Sequence, residues 1–548
     1  MKEKLIKMTS ELVKNDSQYA SDERKTNAGA AEAQFGRRSS PVASFFSGSS
    51  IFITGASGFI GRVLLEKLLR TYQDINKVYI LLRPKRNQQP YERLHKNLLR
   101  VPIFDNIRSM KNGEELLDKI VVISGDIGEE NLGISNEDRE RLFNDPSLSI
   151  VFHSAASVKF EEPLRNSIKF NLRATKTVIE MCRQIKNLKC FCHVSTAYVN
   201  SDQRDGQWIS EKLYPISVNP EDILKLADLL DDKMMQEVKG SLVGGRPNTY
   251  TYTKALAEHL IAQEASDLPV VIVRPSIVVA AWKEPLRGWI DNLNGPTGLI
   301  LAIGKGLLRS MYAKRDCKAD IIPVDVVANT IIAATYYAAK EYAEKNSVAT
   351  SELLSVNDDQ KKTTESTMGK VEAVRAGKID GNHHSGLNSN DNNNNDRVAK
   401  IKREPPIFHC TSGDINPITW GAMEDTFWPI ILKYPSQQVL RYPYGTFKAN
   451  KYHDMLTRLF VHLLPALIVD LLCLVTGKKR QLLSIYDKLH KATKVLTNFC
   501  TTNYNFQSDK FRELSSYLTD PTDRAQLYMD ISSLDWCEFW DYYILGAR

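Results

Sequence analysis

Tyr250 and Lys254 stand one helical turn apart in Tyr250-Thr251-Tyr252-Thr253-Lys254, a spacing that puts both side chains on one face of a helix. A phenol is a poor acid at neutral pH, with an ordinary pKa of about 10. A lysine cation beside it stabilises the phenolate. The pair therefore predicts a general acid, Tyr250, for a carbonyl oxygen that gains negative charge as hydride arrives, with Lys254 also able to reach a nicotinamide ribose. A place for the hydride donor lies far upstream. Thr54-Gly55-Ala56-Ser57-Gly58-Phe59-Ile60-Gly61 follows the apolar run Ile51-Phe52-Ile53 and opens an apolar-periodic helix. Gly55 suits a tight turn, Gly58 a close approach of the backbone to phosphates, and Gly61 the packing of helix on strand; the new helix N-terminus faces the pyrophosphate. Each motif alone is weak. In this order they predict a reductase.

Further side chains join them. His193-Val194-Ser195-Thr196-Ala197-Tyr198 ends a predicted strand, the sheet edge where ligands of doubly wound folds bind. A hydroxyl there can hydrogen-bond the substrate carbonyl; Thr196 is favoured, with Ser195 next. Ser154 and Ala155 follow the strand ending at His153 and leave room for the cofactor backbone. Asn171 either orients a water or is a plain polar helix residue. After the second strand the chain reads Leu82-Arg83-Pro84-Lys85-Arg86. An NAD site usually has a carboxylate there for the ribose 2′-hydroxyl, whereas Arg83 and Lys85 suit a 2′-phosphate, so the cofactor expected is NADPH. Asp126 is expected at the adenine. No metal site is expected: His383-His384 lies in a solvated tract.

These residues need a parallel sheet to position them. Short apolar runs at Ile51–Thr54, Val78–Leu82, Ile120–Ser124, Ile150–His153, Phe191–Ser195 and Val270–Arg274 alternate with helical patterns such as Gly61–Tyr72. This predicts an α/β, Rossmann-type doubly wound fold. A Gly- and Pro-rich region from Trp282 to Ala339 would build a substrate pocket over the nicotinamide. The expected organisation is a disordered segment at 1–46, the reductase domain at 47–342, a disordered polar insertion at 343–405 with an asparagine run, the end of the reductase domain at 406–450, resuming with a strand at Ile407–Cys410, and a helical C-terminal domain at 451–548. Within the last, Leu459–Val475 is close to the roughly 20 residues that span a bilayer, but His462, Pro465 and Asp470 interrupt it and Lys478-Lys479-Arg480 flanks it. An interfacial or re-entrant helix, or a buried core helix, fits better than a full span. Ile485, Leu489, Ala492, Leu496 and Phe499 recur at helical spacing and are expected to face a core.

Composition bounds the rest. With 548 residues, 43% hydrophobic and 25% charged, the chain can bury a large core. Its net charge of +7 is spread thinly and, without zinc-finger spacing or an aromatic-studded basic stripe, does not predict nucleic-acid binding. The eight cysteines form no CxxC pair, which predicts free thiols in a reducing compartment. The first residues lack the apolar run of a signal peptide, so catalysis is expected to face the cytosol.

Thr54–Gly61, Phe152–Phe160, Val194–Asn200, Pro247–Glu258 and Val273–Val278 together resemble eukaryotic fatty acyl-CoA reductases, extended short-chain dehydrogenase/reductases. So do Glu284-Pro285, Gly288–Asn292 and Ile322–Asp325, while Leu463–Ala466 to Gly477 and Ser533–Trp536 resemble that family's C-terminal male-sterility domain. The likeness covers about Pro41 to Arg548 apart from the polar tract. It implies NADPH-dependent reduction of a long-chain acyl-CoA to a primary alcohol through the aldehyde, with CoA released. It also adds Pro275 and Ile277 to the cofactor contacts and implies the cytosolic face of the endoplasmic reticulum or peroxisomal membrane. The alternative, another extended-family enzyme acting on a sterol or nucleotide sugar, would share the Tyr/Lys pair but not the C-terminal region or Gly288–Asn292.

Overall fold

The computed structural model describes residues 40–85, 88–348, 403–436 and 439–547. The apolar runs form seven parallel strands: β1 (Ser50–Thr54), β2 (Val78–Leu82), β3 (Ile120–Ser124), β4 (Leu148–His153), β5 (Cys190–Val194), β6 (Val270–Pro275) and β7 (Ile407–Cys410). Their order across the sheet is β3-β2-β1-β4-β5-β6-β7. Every residue of β1, β2, β4, β5, β6 and β7 is buried, as expected of a parallel sheet covered by helices on both faces. Chain direction across the sheet reverses between β1 and β4, and this switch point opens a crevice at their C-terminal ends.

β7 pairs with β6, Ile407 opposite Ile272, so the polar tract interrupts the sheet sequence and does not end it. Most of that tract, 349–402, lies outside the described residues, but its flanks meet. A helix over 324–348 brings Asn346 to Arg403, whose guanidinium donates to the asparagine carbonyl at 2.9 Å.

The N-terminal boundary differs from expectation. Residues 1–39 lie outside the described part, yet Pro41–Phe46 is a helix capped by Ser40. Val42 and Phe46 are wholly buried, and Phe46 stacks on Tyr72 at 4.8 Å between ring centres. Two adjacent phenylalanines supply enough apolar surface to dock an otherwise polar segment.

Six further helices matter for the site: α1 (Phe59–Thr71), α2 (Thr249–Glu264), α3 (Pro296–Gly304), α4 (Trp420–Lys433), α5 (Lys451–Val475) and α6 (Leu482–Thr501). The C-terminal hundred residues are helical but do not form a separate body. Phe511, Leu514, Trp540 and Tyr543 share one continuous core with Ile51, Ile53 and Leu64 of the dinucleotide fold. Gly546 sits so close to Gly288 that a Cβ there would lie 1.8 Å from the Gly288 carbonyl oxygen.

Among the described residues α5 alone is long and apolar enough to cross a membrane. Its polar interruptions have a structural explanation. His462, Ala466 and Asp470 recur every fourth residue on one buried stripe. His462 accepts from the Arg309 amide at 2.9 Å and stacks on Tyr486. Asp470 accepts from the amides of Gln481, Leu482 and Leu483, capping α6. The opposite face leaves Phe460, Leu467, Ile468, Leu471, Leu472 and Val475 exposed. The core-helix expectation for this segment is therefore not met: only its polar stripe is inside.

The expected core face of α6 is also corrected. Phe499 is inside as expected, but Ile485 and Ala492 are exposed and Leu489 and Leu496 only partly buried, whereas Tyr486, Thr493 and Cys500 are inside. The buried stripe is centred one residue further along because Tyr486 must meet His462 of α5. Six of the eight cysteines are buried and all are free thiols.

Candidate active site

The glycine turn is built as its residue types require. Gly55 has φ +82°, a backbone region that costs side-chain-bearing residues strain. A Cβ on it would lie 2.6 Å from the Ala155 nitrogen, so turn and β4 loop touch. Gly61 is equally constrained, since a Cβ there would meet the Gly55 carbonyl at 2.2 Å. Gly58 caps α1 with no side-chain partner for the helix amides, leaving those donors for an anion. Thr54 is buried and its hydroxyl pairs with His153 Nδ1 at 2.7 Å. Ser154 donates its amide to the Thr54 carbonyl. Ser57 and Ile60 are partly exposed at the turn, and Phe59 stacks on Trp289 at 5.4 Å.

Tyr250 and Lys254 lie in the first two turns of α2, whose N-cap Asn248 accepts from the Thr251 amide. Thr196, just past β5, lies close enough to the Tyr250 hydroxyl to favour its ionised form, so the structure brings these two together. Ser195 is buried beside it with its Oγ unpartnered among the described residues. Tyr250 keeps part of its surface open, yet burial of its hydroxyl pushes its pKa up to about 12, opposed by the nearby Thr196 hydroxyl. The sequence predicted the reverse, a phenol made more acidic by Lys254. The reason lies in the lysine. Lys254 is almost wholly buried, its Nζ donates to the Val194 carbonyl at 2.6 Å, and burial lowers its pKa to about 7 against the pull of Glu258.

Two buried histidines share that region. Burial, aided by Lys254, lowers His153 to about 3, and His193 also falls well below its ordinary value. Their neutrality spares Lys254 two cationic neighbours. The Asn171 Oδ1 accepts from the Ser157 amide at 2.8 Å and its Nδ2 donates to Thr253 at 3.0 Å, tying the β4 loop to α2.

Over Tyr250 lies a wall that sequence reasoning missed. Phe160 meets the Tyr250 ring edge-on at 5.7 Å, and Phe499 in turn packs on Phe160 at the same distance. Leu496, Tyr198 and Ile277 belong to the same cluster. Phe499 and Leu496 come from α6, so the C-terminal region backs the Phe160 ring that packs on Tyr250. Spacing cannot reveal a partner that arrives only through tertiary folding. Pro275 ends β6, and its carbonyl accepts from Thr196 at 3.5 Å.

At the end of β2, Arg83 is exposed and pairs loosely with Asp126 at 3.6 Å; the Asp126 carboxylate also accepts from the Gly128 amide. Lys85 is exposed and its backbone bridges to Gln88. Two arginines not foreseen stand close. Arg93 donates to the Arg83 carbonyl, and its pKa is lowered by burial and by the charges of Arg83 and Arg62. Arg62 pairs with Asp291 at 2.6 Å, and the Nε atoms of both Arg62 and Arg93 are buried without partners. Arg62 directly follows Gly61, a position that could have been noted. Unpartnered guanidinium donors beside the glycine turn fit an anionic dinucleotide. Among the described residues no cluster of metal-ligating side chains occurs.

A family model described as male sterility protein, of NAD-binding type, matches residues 53–331, and a second with that description matches 461–548. Fatty acyl-CoA reductase 1 of Rattus norvegicus is 35% identical over 507 residues, covering 92% of this chain and 85% of its own. The Homo sapiens counterpart is 34% identical over 509 residues with the same shares, and fatty acyl-CoA reductase 2 of Mus musculus is 34% identical over 93% of this chain and 86% of its own. Among solved structures, the terminal R domain from the myxalamid PKS-NRPS pathway matches with TM-score 0.52 at 20% identity, covering 91% of this chain and 90% of that one. The reductase domain of a nonribosomal peptide synthetase from Mycobacterium tuberculosis matches with TM-score 0.50 at 15% identity, covering 94% and 96%. These two likenesses speak for the fold alone.

Proposed function

The chain belongs to the fatty acyl-CoA reductase family, an oxidoreductase with a nicotinamide-binding fold, and from that premise we propose that it reduces a long-chain fatty acyl-CoA to the primary alcohol with NADPH. The observation that carries the chemistry is the closeness of Thr196, at the end of β5, to the Tyr250 hydroxyl, with Phe160 against the Tyr250 ring and Phe499 behind Phe160. Burial keeps the Tyr250 phenol protonated at neutral pH, which is the state a proton donor needs. Thr196, or the unpartnered Ser195 hydroxyl, gives the substrate carbonyl oxygen a second hydrogen bond as its charge grows. The aromatic wall keeps water away from that oxygen, where each hydrogen bond then counts for more. When bound, reduced nicotinamide supplies the hydride. Two reductions take the thioester to the aldehyde, with CoA released as the thiol, and the aldehyde to the alcohol.

Thr54, Gly55, Ser57, Gly58, Phe59, Ile60 and Gly61 would hold the pyrophosphate side, with Ser154, Ala155, Pro275 and Ile277 along the nicotinamide half and Lys254 at its ribose. Support for NADPH over NADH comes from Arg62, Arg83 and Arg93, whose mutual repulsion a 2′-phosphate would relieve. Asp126 is assigned to the adenine end.

The exposed face of α5 and the basic Lys478-Lys479-Arg480 after it favour a helix lying in a membrane interface, apolar face down, on the cytosolic side of the endoplasmic reticulum or peroxisome. Incubation of the purified chain with NADPH and hexadecanoyl-CoA, followed by lipid extraction and thiol assay, should yield hexadecanol and free CoA. Reduction of a sterol or nucleotide sugar in place of acyl-CoA would overturn the proposal.

A further inference from the structure

Between β6 and α3 the chain makes a strap, 281–291, that joins the dinucleotide turn to the C-terminal end of the protein. Its main chain closes on itself: Gly288 donates to the Ala281 carbonyl at 2.8 Å, and Ala281 to that of Trp289 at 3.1 Å. One flank lies on α1. At the start of that helix Trp289 stacks on Phe59, and the Asp291 carboxylate meets the Arg62 guanidinium at 2.6 Å. Further along the same helix the Glu284 carboxylate pairs with Lys67 and, at 2.7 Å, with Arg70. The other flank is held from the far end of the sequence. Arg287 pairs with Glu538 at 2.9 Å and lies over the Tyr542 ring at 3.9 Å. Gly288 has φ +73°, and a Cβ on it would sit 2.1 Å from the Tyr542 carbonyl oxygen. Fastened on both flanks, the strap presents Asp291 from a fixed place.

Arg62 is the side chain on which this arrangement acts. It follows Gly61 directly, and its charge joins that of Arg83, just past β2, in lowering the Arg93 pKa. The three guanidinium groups therefore share the sheet edge where the adenosine ribose of a dinucleotide lies. Asp291 accepts from one terminal nitrogen, Nη1, of Arg62. Other donors remain, among them an Nε that is enclosed and unpartnered among the described residues. A guanidinium is a rigid planar fork, so holding one nitrogen limits the directions open to the rest. The two side chains are each 18% exposed, which leaves the pair less screened than a bridge in open solvent, where such contacts contribute little.

We propose that Asp291 is a positioning residue for cofactor choice: by holding Arg62 it aims the remaining guanidinium donors at the ribose 2′-phosphate. The inference rests on the NADPH reading above. The carboxylate has two opposed effects. Its charge repels a phosphate, while its grip spares Arg62 a loss of rotamer freedom on binding that is among the largest of any side chain. Orientation prevails, because the carboxylate charge is already balanced by Arg62 at 2.6 Å and its residue is weakened by salt.

The test is cofactor binding to the full chain, read by fluorescence titration with NADPH and with NADH, for wild type, Asp291→Ala, Arg62→Ala and the double variant. Asp291→Ala should bind NADPH about tenfold more weakly, the effect of one misaimed hydrogen bond from a charged donor, with NADH affinity and melting temperature unchanged. Arg62→Ala should show the same selective loss. The double variant should lose no more than Arg62→Ala alone, since Asp291 acts only through that arginine. If the alanine variant melts early, Asp291→Asn, of the same shape, repeats the measurement and should lose less in the same direction. NADPH binding that is unchanged or tighter without the carboxylate, additive losses in the double variant, or equal losses for both cofactors would overturn the assignment. Wild type that binds NADH as tightly as NADPH would defeat the NADPH reading itself. Wild type that prefers NADPH, with a preference fully kept in Asp291→Ala, would defeat only the role of Asp291.

Discussion

Lys254 donates to the main-chain carbonyl of Val194 at 2.6 Å, which fixes the cation at the end of β5 and not against the phenol one turn away. The geometry gives the lysine a load that can be measured. Its pKa is about 7 in the fold and 10.5 ordinarily, because burial disfavours its charge. The unfolded chain therefore binds more protons than the native one between those values, and stability must rise with pH across that window. The buried thiols Cys190 and Cys192, pushed up from 9, act in the opposite direction at higher pH. Lys254→Met should accordingly be more stable than wild type near pH 7, with the gap narrowing towards pH 9. Denaturant unfolding of both proteins without cofactor checks this, and parallel curves would mean that Lys254 is not desolvated.

Tyr250→Phe keeps the ring that packs on Phe160 and removes only the proton donor. Alcohol formation should fall by roughly 10²–10⁴-fold, with NADPH titration unchanged. Thr196→Val should cost less, since Ser195 offers a neighbouring hydroxyl. Residual activity above about a tenth of wild type in Tyr250→Phe would remove the tyrosine from its assigned role.

Much of this was visible in the residues themselves. The strands were legible because a parallel sheet buried on both faces writes itself as short apolar runs, and the glycine turn because Gly55 and Gly61 admit no Cβ. The sign of the Tyr250 shift was not legible, because it depends on where the Lys254 amine points and how dry it is. Nor was the role of α6: a helical repeat tells which residues share a face, but Phe499 meets Phe160 only through the tertiary path of the chain. His462 and Asp470 looked like defects in an apolar run. They are the anchors that turn α5 to face the body, and only their partners Arg309 and Leu483 reveal that.

Arg83→Ala combined with Arg93→Ala should weaken NADPH binding by about ten- to a hundredfold, as expected for lost hydrogen bonds from charged donors, and leave NADH binding nearly unchanged. The motive is the crowding of Arg62, Arg83 and Arg93. Fluorescence titration with both cofactors decides it; equal losses would show that these arginines do not read the 2′-phosphate.

Deleting residues 349–402 and joining the ends through a short Gly/Ser linker should preserve folding and turnover. Asn346 and Arg403 already touch across the gap, and Arg403 also donates its amide to the Ser266 carbonyl. Closing a shorter loop changes chain entropy little. A soluble deletion protein that binds NADPH yet makes no alcohol would give the tract a catalytic role.

The last expectation concerns α5. Leu467, Ile468 and Leu471 are each about half exposed, at 45%, 50% and 50%, so changing all three to Ser opens no cavity and strands no buried partner. The His462 and Asp470 contacts that hold the helix to the body stay intact. The triple variant should therefore melt within a few degrees of wild type and bind NADPH normally. Its partition onto vesicles of phosphatidylcholine and phosphatidylserine should fall by at least tenfold, since exposed leucines contribute only when a bilayer covers them. Sedimentation with vesicles and thermal melts on the same preparation separate the possibilities. Unchanged partition with an unchanged melt would show that this face does not touch lipid. An early melt would mean that the face is packed in solution against something other than a membrane.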